Sequence, residues 1–371
     1  MNIPWKCLVI FLPILTAISC SHSEEAAPQQ KPAPPPATYA QVTNTPELLA
    51  AVSSLSWTGG QIVLLPGTYE IKEPIVIKHS SVSIQGSGWS TIIKRIGEGD
   101  ALVFAGSLWN CSVKSLVIEG DPTAKTGSGI VFKDGEWNGI NMIDYCHIRS
   151  FGESGVKFDG TEGKPMSSNT VSNCWFTSNL GDQLSSRNNA DFYFFANQFG
   201  GGGDRIPRSG TLLENSGAGT YTMNYHWGNR VGLRLGPGAT FNRIENNRIE
   251  QSRESGIMIG SPTVKSWNGL NIIIGNTIHT NSEFDFGKYS AVTAYDANDI
   301  TFTGNQIFSW ESVGVRHKNG IELVRCKNWI IKDNNIRHHT EKAIVYNKKD
   351  GHIIKDNIKD KDVKAKNIKP E

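Results

Sequence analysis

The chain has little net charge, few cysteines and no apolar run long enough to cross a membrane. Its 371 residues contain 37 Lys and Arg against 35 Asp and Glu, which leaves a formal charge of +2. A balance this even excludes a global electrostatic attraction to nucleic acid or to anionic lipid, so a polyanion can bind only where charge clusters locally. The 6 cysteines do not have the paired spacing of a zinc site.

The N-terminus has the pattern of an export signal. The apolar run from Leu8 to Ile18 follows Lys6 and is shorter than a membrane-spanning helix. The small residues before Cys20 resemble a bacterial lipoprotein signal, although Ala17 stands where that motif usually has Leu. The resemblance implies lipidation of Cys20, and cleavage of a plain signal nearby is the alternative. We expect an exported protein, either an outer-membrane or cell-surface lipoprotein anchored through Cys20, or a periplasmic protein.

Composition divides the chain into four predicted segments: a signal peptide at 1–19, a Pro-rich tether at 20–38, a main domain at 39–358 and a Lys-rich tail at 359–371. At the start of the main domain, Thr45 as the N-cap and Pro46 in the first turn predict a short helix that caps the core.

A short pattern recurs through the main domain: Asn, any residue, then a large apolar residue. The last apolar residues of these repeats are Ile148, Phe176, Phe199, Trp227, Ile249, Ile278, Ile307, Ile336 and Ile358. A period of roughly 20 to 30 residues indicates a solenoid, because one coil cannot bury its inward face alone. A second strand type, Gly-apolar-x-apolar, begins at Gly129, Gly155, Gly232, Gly256 and Gly320. The predicted fold is an all-β, right-handed parallel β-helix of about 10 coils with a short N-terminal capping helix.

Stacking of the coils gives the recurring asparagines a structural role. Equivalent residues lie about 4.8 Å apart on neighbouring parallel strands, so their amides can hydrogen-bond up the stack. The predicted ladder contains Asn197, Asn247, Asn276, Asn305 and Asn334. By the same alignment Tyr225 points into the core and His226 points outward. Cys146 and Cys174 take the ladder position on neighbouring coils, where either stacked thiols or a disulfide fits.

The segment from Gly60 to Tyr69 resembles the first strand of the pectate-lyase-like β-helix superfamily, which includes lyases, hydrolases and epimerases of acidic polysaccharides and phage tailspikes. With the coil repeats, the resemblance covers roughly residues 55 to 358. It implies a carbohydrate chain lying along the Gly-apolar-x-apolar strands. The middle residue of each strand should point outward. The predicted outward series is Val131, Lys157, Gln183, Leu212, Arg234, Met258 and Glu322.

Arg and Lys are concentrated beside these strands, which favours a substrate with carboxylates or sulfates. A uronate lyase needs a cation to stabilise the developing enolate, a base for the proton at C5 and a donor for the leaving oxygen. The catalytic candidates are Arg234, Lys157, Tyr289 and His317. The substrate-binding candidates are Arg187, Arg205, Arg208, Arg230, Arg253, Lys288, Gln183 and Glu322. Arg205 and Arg208 lie in a Gly-rich loop, and Lys288 and Tyr289 in a second loop, each of which can wall a cleft.

The segment from Gly232 to Gly236 is similar to the coil of alginate lyases and chondroitinase-B-like enzymes that carries a catalytic Arg in an Arg-His-Gly context. Arg234 matches that Arg, but Leu235 replaces the His, and Glu214-Asn215-Ser216 stands where those enzymes have a catalytic Lys. A structural alternative is open for both main candidates, since an outward Arg234 can simply be solvated or ion-paired and Lys157 can pair with Asp159.

The expected function is therefore β-elimination on an acidic polysaccharide, by a monomer that binds no nucleic acid. An inverting glycoside hydrolase is the second reading, with carboxylates from Asp159, Asp182, Asp204, Glu214 and Asp296. The polygalacturonase signatures and the Asp-Pro-His motif of alginate epimerases are missing. A uronate epimerase or a noncatalytic glycan-binding lipoprotein are further alternatives. The superfamily resemblance also makes Ca²⁺ a possible cofactor, although no Asp-rich loop demands it.

Overall fold

The computed structural model describes residues 38–201 and 204–360. The predicted signal peptide, Cys20, nearly all of the tether and most of the Lys-rich tail lie outside these ranges. The described chain is a parallel β-solenoid of three long sheets, in which every strand pairs with its equivalent in the next coil. The predicted right-handed parallel β-helix is confirmed. Within the described ranges, no helix has the length and apolar character needed to cross a bilayer.

Each coil contributes one strand to each sheet, in the order first, second, third. The first sheet has 13 strands: Thr38–Val42, Gly60–Leu64, Val82–Gln85, Ser112–Lys114, Met142–Asp144, Thr170–Ser172, Tyr193–Phe195, Thr220–Thr222, Arg243–Glu245, Ile272–Ile274, Thr301–Thr303, Ile330–Lys332 and Ile353–Lys355. The second sheet has 12 strands: Gly67–Ile71, Thr91–Arg95, Val117–Glu119, His147–Arg149, Trp175–Thr177, Gln198–Gly200, Tyr225–Trp227, Arg248–Glu250, Thr277–His279, Gln306–Phe308, Asn335–Ile336 and Ile358–Lys359.

The third sheet has 11 strands and carries the candidate groove. They are Ile75–Ile77, Leu102–Ala105, Ile130–Lys133, Val156–Asp159, Asp182–Arg187, Ser209–Glu214, Val231–Leu235, Ile257–Ile259, Val292–Tyr295, His317–Val324 and His339–Val345. Two small two-stranded sheets lie at corners of the solenoid, Met166–Ser167 with Asn189–Ala190 and Asn268–Gly269 with Ala297–Asn298. Two single turns of 3₁₀ helix, Gly88–Ser90 and Glu311–Val313, interrupt the corners.

A helix at Thr45–Ser53 covers the N-terminal end of the core, as the sequence predicted, but its N-cap is Asn44 rather than Thr45. The Asn44 side chain accepts a hydrogen bond of 3.0 Å from the Glu47 N–H. The Glu47 carboxylate in turn accepts one of 2.7 Å from the Thr43 N–H. This reciprocal pair satisfies two backbone donors at the start of the helix, and it fixes the cap one residue before the predicted position.

The core consists of inward columns in which like side chains stack from coil to coil. The rings of Phe104 and Phe132 are 4.5 Å apart between centroids, and those of Phe132 and Phe158 are 5.1 Å apart. All three side chains are fully buried. Burying one such ring contributes about 1.5–3 kcal/mol, so a column that repeats through the solenoid is a major source of its stability.

An asparagine ladder runs beside this core at the corner between the first and second sheets. Its amides donate to the side-chain oxygen of the next coil from Asn197 through Asn224, Asn247, Asn276, Asn305 and Asn334 to Asn357. The predicted members are confirmed, and Asn224 and Asn357 are the two members that the sequence alignment missed. A second, shorter ladder at another corner, including Asn141, Asn169, Asn242 and Asn271, was not predicted.

The alignment of two repeats was wrong by one residue. In the last repeat Asn357, and not Asp356, holds the ladder position, so Ile358 is aligned with Asn335 and is exposed.

The other misaligned repeat is the one that contains Tyr225. Asn224 holds the ladder position, so it is His226 that points into the core, where it is fully buried and lies 2.6 Å from the Tyr221 hydroxyl. Tyr225 points outward instead, and its hydroxyl donates to Glu250. The repeat reads Asn224, Tyr225, His226, and the imidazole therefore takes the place that a large apolar residue has in other coils.

The four cysteines of the described ranges, Cys111, Cys146, Cys174 and Cys326, are free and buried. Cys146 and Cys174 occupy adjacent ladder positions as predicted, as stacked thiols. Burial raises the pKa of the Cys174 thiol well above its usual value, and the neighbouring Cys146 adds to this effect. Cys174 is therefore a thiol, and not a thiolate, at neutral pH.

Candidate functional site

The outward face of the third sheet carries a straight column of side chains, one from each coil. The column consists of Val131, Lys157, Ser185, Leu212, Arg234, Met258, Thr293 and Glu322. Parallel pairing without a shift brings these residues into line, so a linear polymer lying along the sheet would meet them in order. The predicted outward positions of Val131, Lys157, Leu212, Arg234, Met258 and Glu322 are confirmed.

Gln183 does not belong to this column, and its predicted role in substrate binding is wrong. It is fully buried, accepts a hydrogen bond of 2.6 Å from the Asn179 amide and donates one of 2.5 Å to the Gly200 carbonyl. Leu184 pairs with Val156, so Ser185 takes the outward place beside Lys157. The sequence alignment began this strand two residues too early, at Gly181.

A buried carboxylate organises two arginines at the centre of the sheet. The Asp182 side chain has no exposed surface, and its Oδ1 accepts hydrogen bonds from Arg208 Nε at 3.0 Å and Ser209 Oγ at 2.5 Å. Arg208 Nη2 contacts the other oxygen of the carboxylate. Arg234 approaches the same group, with Nη1 3.9 Å from Oδ1. The hydrogen bonds that Arg208 donates to Asp182 raise the pKa of Arg208, which therefore stays fully charged.

These two guanidinium groups keep part of their surface free. The side chain of Arg208 is 51% exposed and that of Arg234 is 27% exposed, although both reach a carboxylate that is not exposed at all. A guanidinium has five N–H donors in a planar fork, and Asp182 uses only some of them. The remaining donors can bind an anionic group of a ligand, and the fixed carboxylate holds them in place before the ligand arrives.

Further charged side chains flank this pair, each beside an opposite charge. Lys157 Nζ is 2.9 Å from Asp159, Arg187 is 3.6 Å from Glu214, and Arg230 is 3.9 Å from Glu254. The second and third of these pairs are long and half-exposed, so solvent screens them and they contribute little to stability. An anionic ligand can replace the carboxylate partner without a large cost.

Two adjoining depressions follow the column. One has a volume of about 380 Å³ and is lined by Glu153, Lys157, Ser185, Arg187 and Arg208 among others. The next, of about 280 Å³, is lined by Asp100, Val131, Lys133, Glu153, Lys157 and Asp159 among others. They share Glu153 and Lys157 and form one groove on the third sheet. The groove is open and lined by ionised groups, which fits a charged chain better than a small apolar ligand.

The two principal catalytic candidates are not brought together. Lys157 is separated from Arg234 by Ser185 and Leu212 in the column, which makes three strand steps. At about 4.8 Å for each step, their backbones are roughly 14 Å apart. One sugar ring cannot contact both residues. Arg208, which lines the same depression as Lys157, is the cation that shares a subsite with it.

The chain belongs by sequence to a known family. The model of the right-handed β-helix region matches residues 128–261 and 209–364, which is more than half of the chain. The protein is a member of the right-handed β-helix family. No curated protein matches this β-helix by sequence at a significant level.

Solved structures resemble this β-helix over most of its length. The A-module of the mannuronan C-5 epimerase AlgE6 of Azotobacter vinelandii is 14% identical, with a TM-score of 0.66, and the match covers 85% of this chain and 95% of that one. The tailspike of Escherichia coli bacteriophage HK620, in complex with a pentasaccharide, is 14% identical with a TM-score of 0.64, covering 84% and 61%. The DFA-IIIase of Arthrobacter chlorophenolicus A6 is 12% identical with a TM-score of 0.58, covering 86% and 98%. At such low identity these likenesses show the fold alone.

His317 lies inside the β-helix, and its predicted place among the groove residues is wrong. It is fully buried, and its Nε2 accepts a hydrogen bond of 3.0 Å from the Asn281 N–H. Burial, with a smaller contribution from the nearby histidines, lowers the pKa of His317 to about 3. Alternation along this strand accounts for its direction, because Glu322 faces outward and Ile321, Asn319 and His317 therefore all face inward.

The remaining candidates occupy the walls of the groove sheet and are held by local contacts. Arg205 donates to the carbonyls of Ser178 at 3.1 Å, Phe151 at 2.9 Å and Pro122, so its guanidinium holds corner backbone together. Arg253 contacts Glu283 at 3.7 Å and lies over the Phe284 ring. Lys288 contacts Asp285 at 2.7 Å and lies over Tyr289, which is half-buried. Glu322 accepts a hydrogen bond of 2.6 Å from Ser290.

Sequence reasoning missed the part played by Asp182 and Ser209. Asp182 was considered only as a hydrolase carboxylate, and Ser209 was not considered. The signal was present in the repeat, because Asp182 and Ser209 are paired residues at the start of consecutive groove strands. Aligning those strands by Leu184 and Thr211 would have placed Arg208 directly beside Asp182.

The calcium expectation stays a prediction. Within residues 38–201 and 204–360, no three or more His, Cys, Asp or Glu side chains are grouped so that they can hold a metal ion. A cation that bridges a ligand carboxylate to one or two protein carboxylates needs fewer protein groups than that. Glu153 and Asp159, which line one depression, are the residues that could provide them.

The buried histidines predict that acid destabilises this β-helix. Burial lowers the pKa of both His226 and His317 to about 3, whereas an unfolded chain has a histidine pKa of about 6.5. Both contribute full stability above pH about 6.5, and this contribution is lost as the pH falls towards about 3, at about 1 kcal/mol per pH unit for each residue. Urea denaturation at pH 7, 6 and 5 measures the slope. We expect His317→Gln to reduce it, and an unchanged slope would contradict this assignment.

Proposed function

We propose that this β-helix protein binds an acidic polysaccharide in the groove of the third sheet and cleaves it by β-elimination. The observation that carries the proposal is the pair of partly exposed guanidinium groups of Arg208 and Arg234 held over the buried carboxylate of Asp182. Such a pair is preorganised to bind a uronate carboxylate. A cation aimed at this group stabilises the negative charge that develops when the C5 proton is removed.

The groove supports a division of roles between neighbouring subsites. Arg208 binds the carboxylate of the uronate whose linkage is broken, and Arg234 binds that of a sugar further along the chain. Lys157, which lines the same depression as Arg208, leaves its ion pair with Asp159 and, as the neutral amine, takes the C5 proton on Nζ. As the C4–O bond breaks, the electrons of the C5–H bond form the C4=C5 double bond, and the leaving oxygen receives the proton from Nζ. The reaction consumes no water and leaves Lys157 as it began.

The comparisons support the choice of uronate polymers as the first substrates to test. Two similar structures are named for mannuronan C-5 epimerases, enzymes whose reaction takes place at C5 of a uronan. Removal of a C5 proton is also the first event of β-elimination. Since the identity is 14–15%, the argument for this chain rests on its own cations and not on residues carried over from those enzymes.

Hydrolysis is the second candidate, and one observation favours it. Glu153 and Asp159 both line the depression next to the arginine pair, so two carboxylates face one section of the groove. In an inverting hydrolase, one carboxylic acid protonates the leaving oxygen while the other activates water. Asp182 cannot serve as that acid, because its carboxylate is fully buried and both of its oxygens are bonded to Arg208 or Ser209.

An assay with a panel of polymers separates these functions. The purified protein is incubated with alginate, pectate, glucuronan, chondroitin and hyaluronan, with calcium or with a chelator. A rise in the ultraviolet absorbance of the unsaturated uronate, lowered at least about tenfold in Arg208→Ala, supports elimination, the tenfold loss corresponding to about 1.4 kcal/mol. Arg243→Ala is the control, since Arg243 is an ion-paired and half-exposed arginine on the first sheet.

The other outcomes of this assay overturn the lyase proposal in distinct ways. New reducing ends without unsaturated product indicate hydrolysis. A changed uronate composition without cleavage indicates epimerisation. Binding that Arg208→Ala weakens, without any chemical change, indicates a glycan-binding protein. If none of the polymers binds, the groove is not a site for acidic polysaccharide.

We also propose that the protein acts outside the cytoplasm, held to a membrane by lipid on Cys20. This rests on the sequence pattern before Cys20 and on the Pro-rich stretch that follows it. Metabolic labelling with palmitate tests it, since the label should be incorporated into the wild-type chain and absent from Cys20→Ser. Equal labelling of the two would refute the anchor.

A further inference from the structure

Exposed aromatic rings surround a depression at the corner between the first and second sheets. The depression has a volume of about 370 Å³ and is lined by Gly86, Ser87, Gly88, Trp89, Ser115 and Tyr145. The two aromatic side chains are largely in solvent, Trp89 at 60% and Tyr145 at 61% exposure. In each three-sided coil this corner is the one that does not border the third sheet, so it is separate from the groove.

Trp89 is fixed by a stack of further rings. Its ring centroid lies 5.4 Å from that of His147 and 5.3 Å from that of Trp175, and these two rings stack on each other at 4.7 Å. His147 and Trp175 are neighbours in the outward column of the second sheet. Burial lowers the pKa of His147 to about 4, so the imidazole is neutral at physiological pH. The exposed face of Trp89 is therefore a rigid apolar surface with an uncharged support.

Tyr145 is held in a backbone conformation that bulky residues avoid. Its φ is +52°, whereas the neighbouring coils have Ser115 at +54° and Asn173 at +53° in the corresponding turn. Small polar residues adopt this left-handed region more readily, and a bulky residue there costs about 1–2 kcal/mol. The exposed Tyr145 ring does not recover that cost by packing in a core. Met223 has a φ of +55° in the equivalent turn of a later coil, so the conformation belongs to this corner of the solenoid. What distinguishes Tyr145 is that its exposed ring lines the same depression as Trp89.

The position of Trp89 is fixed by the turn that contains it. The 3₁₀ turn Gly88–Ser90 lies between the strand ending at Gln85 and the strand starting at Thr91. Gly88 has a φ of +80°, which favours glycine, and its N–H donates to the Ser115 carbonyl at 2.7 Å. This contact ties the turn to the next coil. Trp89 and Tyr145 thus stand on either side of the depression on backbone that is held at both ends.

The lining of this depression has a chemical character opposite to that of the groove. None of its six residues, all within the described ranges, carries an ionised group at neutral pH. Glu119, on the second-sheet strand that follows Ser115, is in contact with Arg149 and with Lys94, the latter at 3.7 Å. Two aromatic faces with flanking serine hydroxyls and backbone groups match a sugar ring, which has apolar C–H faces and polar hydroxyl edges.

We propose that the Trp89–Tyr145 corner is a second carbohydrate-binding site, specific for an uncharged sugar. It would hold a neutral section of a polysaccharide on one side of the solenoid, independently of what the groove binds. Two stacking rings and a shallow open site give weak binding, so the site acts by keeping the protein on a large glycan. The proposal does not depend on the function of the groove.

Ligand-observed saturation-transfer NMR with cellohexaose, mannohexaose and laminarihexaose tests this site. We expect at least one of these neutral hexasaccharides to bind the wild-type protein, and Trp89→Ala and Tyr145→Asn each to lower its affinity by about tenfold. Tyr145→Asn places in this turn the residue that the next coil has there, so it should fold at least as well as wild type. Trp57→Ala, which removes a tryptophan that is 68% exposed elsewhere, is the matched control and should bind normally.

Three outcomes would overturn the proposal. The first is that none of the three hexasaccharides binds. The second is that binding survives both Trp89→Ala and Tyr145→Asn in protein whose thermal unfolding is normal. The third is a concentration-dependent dimer in sedimentation velocity that Trp89→Ala abolishes, because the corner would then be covered by a second copy of the chain. Loss of polyuronate binding in Arg208→Ala with retained hexasaccharide binding would show the two sites to be independent.

Discussion

Asp182→Asn is expected to lower kcat/KM on the acidic polymer by about 100-fold while the protein remains folded. Asn has nearly the same shape as Asp, so the strand that contains it should not move. It carries no charge, however, and its amide nitrogen is a donor that faces the donors of Arg208 and Arg234. Both guanidinium groups then lose the partner that holds them over the groove. A displacement of about 1 Å at a binding group can cost a factor of 100 in rate.

The sign of this effect distinguishes positioning from overall charge. Asp182→Asn makes the groove more positive, so a purely electrostatic attraction would strengthen polyanion binding, with a steeper salt dependence. If the positioning account is right, kcat/KM falls although the net charge favours the ligand. The matched control is Glu245→Gln, which removes the carboxylate that pairs with Arg243 at 2.5 Å on the first sheet and should leave activity unchanged. Equal or higher activity in Asp182→Asn would refute the role given to this carboxylate.

The repeat made the architecture predictable because its cause is local and periodic. An inward asparagine in each coil must satisfy its amide by bonding to the next coil, and the spacing of such residues therefore gives the coil length. Where the pattern was degenerate, the prediction failed. Tyr225, His226 and Trp227 are all large and aromatic, so hydrophobicity alone could not show that His226 is the inward one. Asn224, directly before them, resolves the alignment.

Prediction of the candidate site depended on two things: which face of the sheet each side chain points to, and which residues it contacts in neighbouring coils. The outward positions of Lys157 and Arg234 follow from strand alternation, and the structure has them there. The prediction for His317 was wrong because its strand starts before the Gly-apolar-x-apolar pattern, and alternation back from Ile321 places His317 inward. The distance between Lys157 and Arg234 can be calculated only when the number of coils between them is known. Arg208 and Arg234 are connected by their contacts with the buried Asp182, which belongs to a different coil. A single sequence does not show such contacts between coils.

The ladder connects these observations, since the groove is straight only while the coils stay in register. Asn276 is the fourth of the seven asparagines that form this ladder within the described residues. Its Nδ2 donates to the Ile244 carbonyl at 3.0 Å and to Asn305 Oδ1 at 2.9 Å. Its Oδ1 accepts from the N–H and from the amide of Asn247, both at 2.9 Å. The side chain is fully buried, so water cannot replace these partners without entering the core.

Asn276→Ala is therefore expected to reduce the free energy of unfolding by about 3–5 kcal/mol, because it leaves two donors of Asn247 and one carbonyl without partners, at about 1–3 kcal/mol for each buried group. Asn335→Ala is the control, since Asn335 is only half-buried and its side chain accepts from Arg337 at 2.9 Å; it should cost well under about 1 kcal/mol. Urea denaturation measures both, and hydrogen exchange of the Asn247 amide reports the broken contact directly.

Because Asn247 and Asn276 share their hydrogen bonds, the double variant Asn247→Ala with Asn276→Ala should cost less than the sum of the two single variants. Additive costs, or unchanged protection of the Asn247 amide in Asn276→Ala, would mean that the asparagines stabilise their own coils separately, and the ladder would not be what keeps the groove in register.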